Sequence, residues 1–202
     1  MRRFTAPLAA LAAAALAAAA CDSSQQAEPI TSRFAAVEKV AHRGSDTGFC
    51  EKQWPAASRK FVAIPERPLP AASTRGDAGG KSWKWVNLWA TWCLPCVEEM
   101  GLLARWRSSL EKDGIPLDLE LWSVDEDQTK LVEYLQSTGV PGRVRWLRAP
   151  EDLPAVLESL GADRAAAIPV HALVDGDGNL RCLRVGSIHE EDYGAVKALL
   201  TS

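Results

Sequence analysis

Two thiols stand three positions apart in Trp92-Cys93-Leu94-Pro95-Cys96, and of all the residues in the chain their types and spacing are best suited to chemistry. At the start of a helix this spacing puts the sulfurs one turn apart, near enough to close a disulfide without moving the backbone. A sulfur at a helix N-terminus faces unpaired backbone N–H groups and the positive end of the helix dipole. Both favour thiolate over thiol, and the thiolate is the attacking species. Cys93 is therefore the expected nucleophile. Cys96, one turn in and more buried, would attack Cys93 in a mixed disulfide and release the reduced partner. Pro95 suits the first helical turn, where a missing N–H costs little, and it restricts the loop that holds both sulfurs. Such a pair is its own redox-active centre and calls for no added cofactor.

Other chemistries use the same spacing. Structural zinc needs two more ligands, and Cys50, Cys182, His42, His171 and His189 supply no second close pair, so no metal site is expected. A c-type haem needs a histidine directly after the second cysteine, where this chain has Val97.

The elements that must position the pair are legible in the pattern around it. Trp83–Trp89 reads as a buried strand ending at the cysteines, and Val97, Met100, Leu103, Trp106 and Leu110 recur at helical spacing up to a stop at Gly114. Leu117–Val124 reads as a second strand. Asp125 and Gln128 have capping-box spacing ahead of a helix through Leu131 and Leu135, closed by Gly139. Strand Val144–Leu147, helix Glu151–Leu160, strand Val170–Val174, strand Leu180–Val185 and helix Glu190–Leu200 follow. The Asp175–Asn179 run between the last two strands superficially suggests a calcium loop. Leu180 stands where that loop needs glycine and Gly186 where it needs an acid, so it reads as a hairpin turn. Alternation of strands and helices, then a hairpin and a terminal helix, predicts an α/β fold with a central mixed sheet flanked by helices on both faces. Gly48–Lys81, with four prolines and a Gly-Gly pair, reads as loops and at most short strands.

The stretch Val86-Asn87-Leu88-Trp89-Ala90-Thr91-Trp92-Cys93-Leu94-Pro95-Cys96 resembles the active-site strand and helix start of TlpA-like proteins of thioredoxin fold. Ile168-Pro169-Val170, then Leu173-Val174-Asp175 and the Gly176/Gly178 turn, resemble that family's cis-proline strand and hairpin. The likeness spans roughly residues 60–200. It implies an exported, membrane-anchored thiol-disulfide oxidoreductase, an enzyme that reduces disulfides of exported proteins, in some members during cytochrome or oxidase assembly. A membrane electron-donor protein would recharge it. It also implies that Pro169 is cis beside the cysteines, and that the backbone before it pairs with an extended partner segment. Trp92 would form part of the docking surface, with plain packing as the other reading. Cytosolic thioredoxins carry a buried Asp where this chain has Asn87, so proton handling must sit elsewhere. The resemblance offers Asp125 and Glu126, Asp125 being the better helix cap and Glu126 the better candidate for tuning the cysteines. His171 is either a site residue or a hydrogen-bonded core histidine. Alternatives to the reductase are a Cu(I) metallochaperone using the same soft thiolates, or a disulfide oxidase or isomerase.

The chain has 202 residues, 47% of them hydrophobic, enough for one ordinary domain plus a tail. Arg2 and Arg3 followed by the Ala- and Leu-rich run Pro7–Ala20 read as an export signal over 1–20, too short and weakly apolar to span permanently. The small residues before Cys21 resemble a bacterial lipoprotein cleavage site, which would make Cys21 a lipidated anchor on the periplasmic side of the cell envelope. Ala18 departs from the usual leucine there. Residues 21–46 are polar and small and read as a flexible tether, with a possible short helix at Ser32–Ala41, ahead of a domain at 47–202. The net charge of −3 carries no basic block, so nucleic acid is not an expected partner. In an oxidising compartment Cys50 and Cys182 remain as an even pair, either bridged to each other or two separate buried thiols.

Overall fold

A strand buried on both faces needs apolar residues at nearly every position, and the run Trp83–Trp89 meets that need. It forms β2, near the centre of the sheet. The structure, a computed structural model, describes residues 48–69 and 81–202. The export segment, Cys21, the tether and the helix expected at Ser32–Ala41 lie outside the described residues.

The other strands are β1 (Lys52–Gln53), β3 (Leu117–Ser123), β4 (Arg143–Trp146), β5 (Val170–Val174) and β6 (Leu180–Val185). They form one six-stranded sheet in the order β1-β6-β5-β2-β3-β4. β2 runs parallel to β3, with Trp85 opposite Leu119, and antiparallel to β5, with Asn87 opposite His171. The helices are α1 (Leu94–Glu98), α2 (Met100–Lys112), α3 (Gln128–Ser137), α4 (Leu153–Leu160) and α5 (Tyr193–Leu200). Short 3-10 turns at Pro150–Asp152 and Glu190–Asp192 precede α4 and α5.

Side chains alternate across a strand, so Trp85, Asn87 and Trp89 share one face of β2. Trp106 of α2 packs on Trp85 with ring centroids 6.0 Å apart and on Tyr193 of α5 at 5.5 Å, while Tyr134 of α3 packs on Trp89 at 5.5 Å. Those helices therefore cover that face. On the opposite face Lys84 lies over the Phe61 ring, and nearby Arg59 donates to the Ser159 carbonyl of α4 at 2.9 Å. Helices flank the sheet on both faces, as the sequence pattern implies.

Three local expectations need correction. The helix after the cysteines is broken at Glu99, whose backbone has opened to ψ −11° and whose side chain turns inward. The cap of α3 is Asp127, which accepts from Thr129 and Lys130 backbone N–H groups at 2.8 and 3.3 Å. Asp125 is instead buried, because donors inside the fold claim its carboxylate. Gly139 does not close α3: the helix ends at Ser137, and Thr138 leaves it in extended geometry. Asp175–Asn179 is a hairpin turn, with the Asp175 carboxylate accepting from the Asp177 and Asn179 backbones.

Of the two readings for the remaining cysteines, the bridged one holds. Cys50 and Cys182 are bonded across 132 positions, tying the segment before β1 to β6 in the core. Closing so long a loop removes much of the freedom of the unfolded chain. Replacing both cysteines with alanine should lower the unfolding free energy by about 4–5 kcal/mol. Urea unfolding with Cys93 and Cys96 kept oxidised measures it, and an unchanged midpoint would contradict a stabilising bridge.

Candidate active site

β2 delivers its last residues to a tight turn, in which the Cys93 N–H donates to the Ala90 carbonyl at 3.1 Å. Cys93 is the residue before α1, in extended conformation, and its carbonyl accepts from Val97 at 3.1 Å to open the helix. Pro95 occupies the first turn of α1, as expected. Cys93 and Cys96 form a disulfide, with Cα atoms 5.3 Å apart. Cys96 is fully covered and Cys93 nearly so, while Trp92 and Leu94 on either side of Cys93 are 68% and 67% exposed. The sulfur nearer the surface is thus framed by two apolar side chains in solvent.

The Ile168–Pro169 peptide bond is cis, and the Ile168 carbonyl oxygen lies 3.9 Å from Cys93 Sγ. β5 therefore begins beside the nucleophile's sulfur. Cys93, Cys96, Pro169 and Trp92 come together at one end of the sheet.

Glu126 does not join them. Its side chain is exposed, and its contact with Arg67 is through the backbone carbonyl at 3.5 Å. A carboxylate in solvent lacks the burial that the tuning role required.

Two other acids are buried here. Asp125, 3% exposed, receives the Thr91 backbone N–H at 3.1 Å, the Thr91 hydroxyl at 2.6 Å and the Ser123 hydroxyl at 2.8 Å. It holds the turn two residues ahead of Cys93. Glu99, 4% exposed, accepts from Asn87 Nδ2 at 3.0 Å through Oε1 and from the Ile188 backbone N–H at 3.2 Å through Oε2. Glu99 follows Cys96 by three positions, at the residue where α1 ends. That spacing was readable in the sequence; burial of the acid was not. Asn87, in the place of a buried Asp, is the hydrogen-bond donor that receives Glu99.

His171, fully buried on β5, is a hydrogen-bonded core histidine in the first instance. Its Nδ1 lies 3.2 Å from both Trp85 Nε1 and Asn87 Nδ2.

No protein-family model matches the chain. It is 31% identical over 140 residues to the thiol:disulfide interchange protein HelX of Rhodobacter capsulatus, an alignment covering 67% of this chain and 71% of that protein. A thiol:disulfide interchange protein from Bacteroides sp. superposes with a TM-score of 0.54 at 18% identity, over 71% of this chain and 90% of the other. A thioredoxin-related protein from Neisseria meningitidis serogroup B gives a TM-score of 0.51 at 20% identity, over 61% of this chain and 87% of the other. At these identities the two structures establish the thioredoxin-like fold.

Removing the acceptor behind Thr91 leaves the Thr91 N–H and hydroxyl and the buried Ser123 hydroxyl without their partner. Asp125→Ala should cost roughly 1–3 kcal/mol of stability and speed the opening of Cys93–Cys96 by dithiothreitol. Denaturant unfolding and the rate of thiol release check the two effects. A variant matching the parent in both would show that Asp125 does not hold the turn.

Proposed function

The chain belongs to the TlpA-like family of thiol:disulfide interchange proteins and is a thiol-disulfide oxidoreductase, and from that premise we propose that it reduces disulfides of exported proteins. Cys93 attacks one sulfur of the partner's disulfide, and the partner's other sulfur leaves. Cys96 then gives up its proton and attacks Cys93 Sγ. The bond between Cys93 and the partner breaks, the partner sulfur departs with the electron pair, and Cys93–Cys96 closes. The partner has gained two electrons and the protein has lost two. In this reading Glu99, buried and three positions after Cys96, takes the Cys96 proton.

The observation that carries this reading is the asymmetry of the pair. Cys96 is fully buried, while Cys93 lies between exposed Trp92 and Leu94 and beside the Ile168 carbonyl. A partner in extended conformation would lay its backbone along Ile168–Pro169 and its apolar side chains on the rim. Trp92 and Pro169 then orient the partner, and Pro95 keeps the two sulfurs in register.

Export removes residues 1–20, Cys21 is lipidated, and residues 21–46 tether the domain on the periplasmic side of the envelope. A membrane protein returns electrons to the dithiol after each turnover. Partners of suitable chemistry are exported proteins whose paired thiols must be reduced before use, such as haem-attachment sites in cytochrome assembly.

The test is trapping. Reduced Cys96→Ser chain, with Cys21→Ser in both variants so that no other free thiol competes, mixed with an oxidised peptide bearing a Cys-x-x-Cys-His site, should retain a one-to-one mixed disulfide at Cys93 that dithiothreitol releases. Cys93→Ser should retain none. Equal adducts from the two variants, read by intact mass, would sink the assignment of nucleophile and resolving thiol.

A further inference from the structure

His171 holds a buried hydrogen-bond donor for which the described structure provides no regular partner. Trp85 Nε1 and Asn87 Nδ2 both approach its Nδ1 at 3.2 Å. Trp85 can only donate, so Nδ1 is the acceptor and the ring proton resides on Nε2. The edge-on packing of Trp85 against the ring, centroids 5.8 Å apart, fixes its orientation. Nε2 forms no hydrogen bond, yet it stands 3.4 Å from Glu99 Oε1. A buried donor left unpaired is costly, and the acceptor it faces is the carboxylate three positions after the resolving cysteine.

We propose that His171 is a positioning residue for the resolving step, acting through Glu99. The proposal rests on the exchange reading above. Asn87 Nδ2 and the Ile188 N–H already engage the two carboxylate oxygens. The His171 Nε2–H, unpaired and 3.4 Å from Oε1, faces the same carboxylate from β5 and is the donor that closes on it when the acid works. In the step itself the Cys96 proton passes to Glu99, the Cys96 sulfur bonds to Cys93, and the partner leaves as thiolate. His171 neither gains nor loses a proton. It holds the acid in place until the transfer occurs.

The other charged groups around the pair are engaged elsewhere. Arg184, opposite His171 on β6, turns its guanidinium to the Ser187 carbonyl at 2.8 Å and to Asp192. The backbone N–H of His189, next to Ile188, bonds Asp192. Asp125 is held by Thr91 and Ser123, and Glu98, beside Glu99, is exposed.

The experiment uses the full chain carrying Cys21→Ser, reduced at Cys93–Cys96 with Cys50–Cys182 kept closed, and 5,5′-dithiobis(2-nitrobenzoic acid). Cys93 releases one thionitrobenzoate as the mixed disulfide forms, and Cys96 releases the second as it resolves, so the second phase of absorbance isolates the step in question. A carboxylate that loses a donor holds its proton more tightly. For His171→Leu the acidic limb of the second phase should therefore move up by about one pH unit, a tenfold loss of rate below the limb. His171→Gln, which restores an N–H near the Nε2 position, should recover the parent profile. His171→Leu in a Glu99→Gln background should add nothing. If the leucine variant does not fold, His171→Asn keeps the acceptor for Trp85 but not the reach to Glu99, and should show the same displaced limb. An unmoved limb in the leucine and asparagine variants, or an additive loss in the double variant, would overturn the role of His171 while leaving disulfide exchange intact. A parent chain that gives neither phase would overturn both.

Discussion

A carboxylate taken out of water must be met by donors, and Glu99 meets them on three elements at once. Asn87 comes from β2, Ile188 from the segment after β6, and His171 faces it from β5. The turn between α1 and α2 supplies the acid itself. One polar group therefore fixes where the cysteine-bearing helix sits against the sheet. Moving α1 away would strand donors on the other elements, each at a cost of about 1–3 kcal/mol. That constraint keeps Cys96 sealed and brings Cys93 against the Ile168 carbonyl.

Asp125 does the same on the other side of the pair. It ties Thr91 to the end of β3, while the Trp146 indole holds the Asp125 carbonyl at 2.7 Å. The turn bearing Cys93 thus has a polar lock behind it, and the helix bearing Cys96 has another beneath it. Between them Trp92 and Leu94 reach far into solvent. The Cys50–Cys182 bridge works at longer range, holding the segment before β1 to the sheet. One disulfide of the chain fixes the scaffold, and the other stands at its rim.

Periodicity carried most of the architecture. The apolar run of β2, the helical recurrence from Met100 to Leu110 and the hairpin at Asp175–Asn179 lie where their residues place them. What periodicity misses is which polar residue turns inward. Asp125, Glu126 and Asp127 form a row in which each could cap a helix, and the outcome depends on Thr91, more than thirty positions away. Glu126 was the wrong acid of that row to expect near the cysteines, since it ends in solvent. Glu99 looked like one more polar position on a helix. Its spacing from Cys96 was visible, but its importance needed Asn87, which only the pairing of sheet and helix brings to it. Long-range polar contacts of this kind leave no local signature in a chain.

Cys93–Cys96 is proposed above to work as a reducing couple in a scaffold that also carries the Cys50–Cys182 bridge. Its reduction potential tests that most directly. The full chain is equilibrated in defined thiol buffers, quenched by alkylation and counted by mass at each cysteine. The account predicts that Cys93 and Cys96 open together near thioredoxin's value of about −270 mV or below, with Cys50–Cys182 still closed. Opening at roughly −120 to −180 mV would contradict it and make the protein an oxidase or isomerase instead.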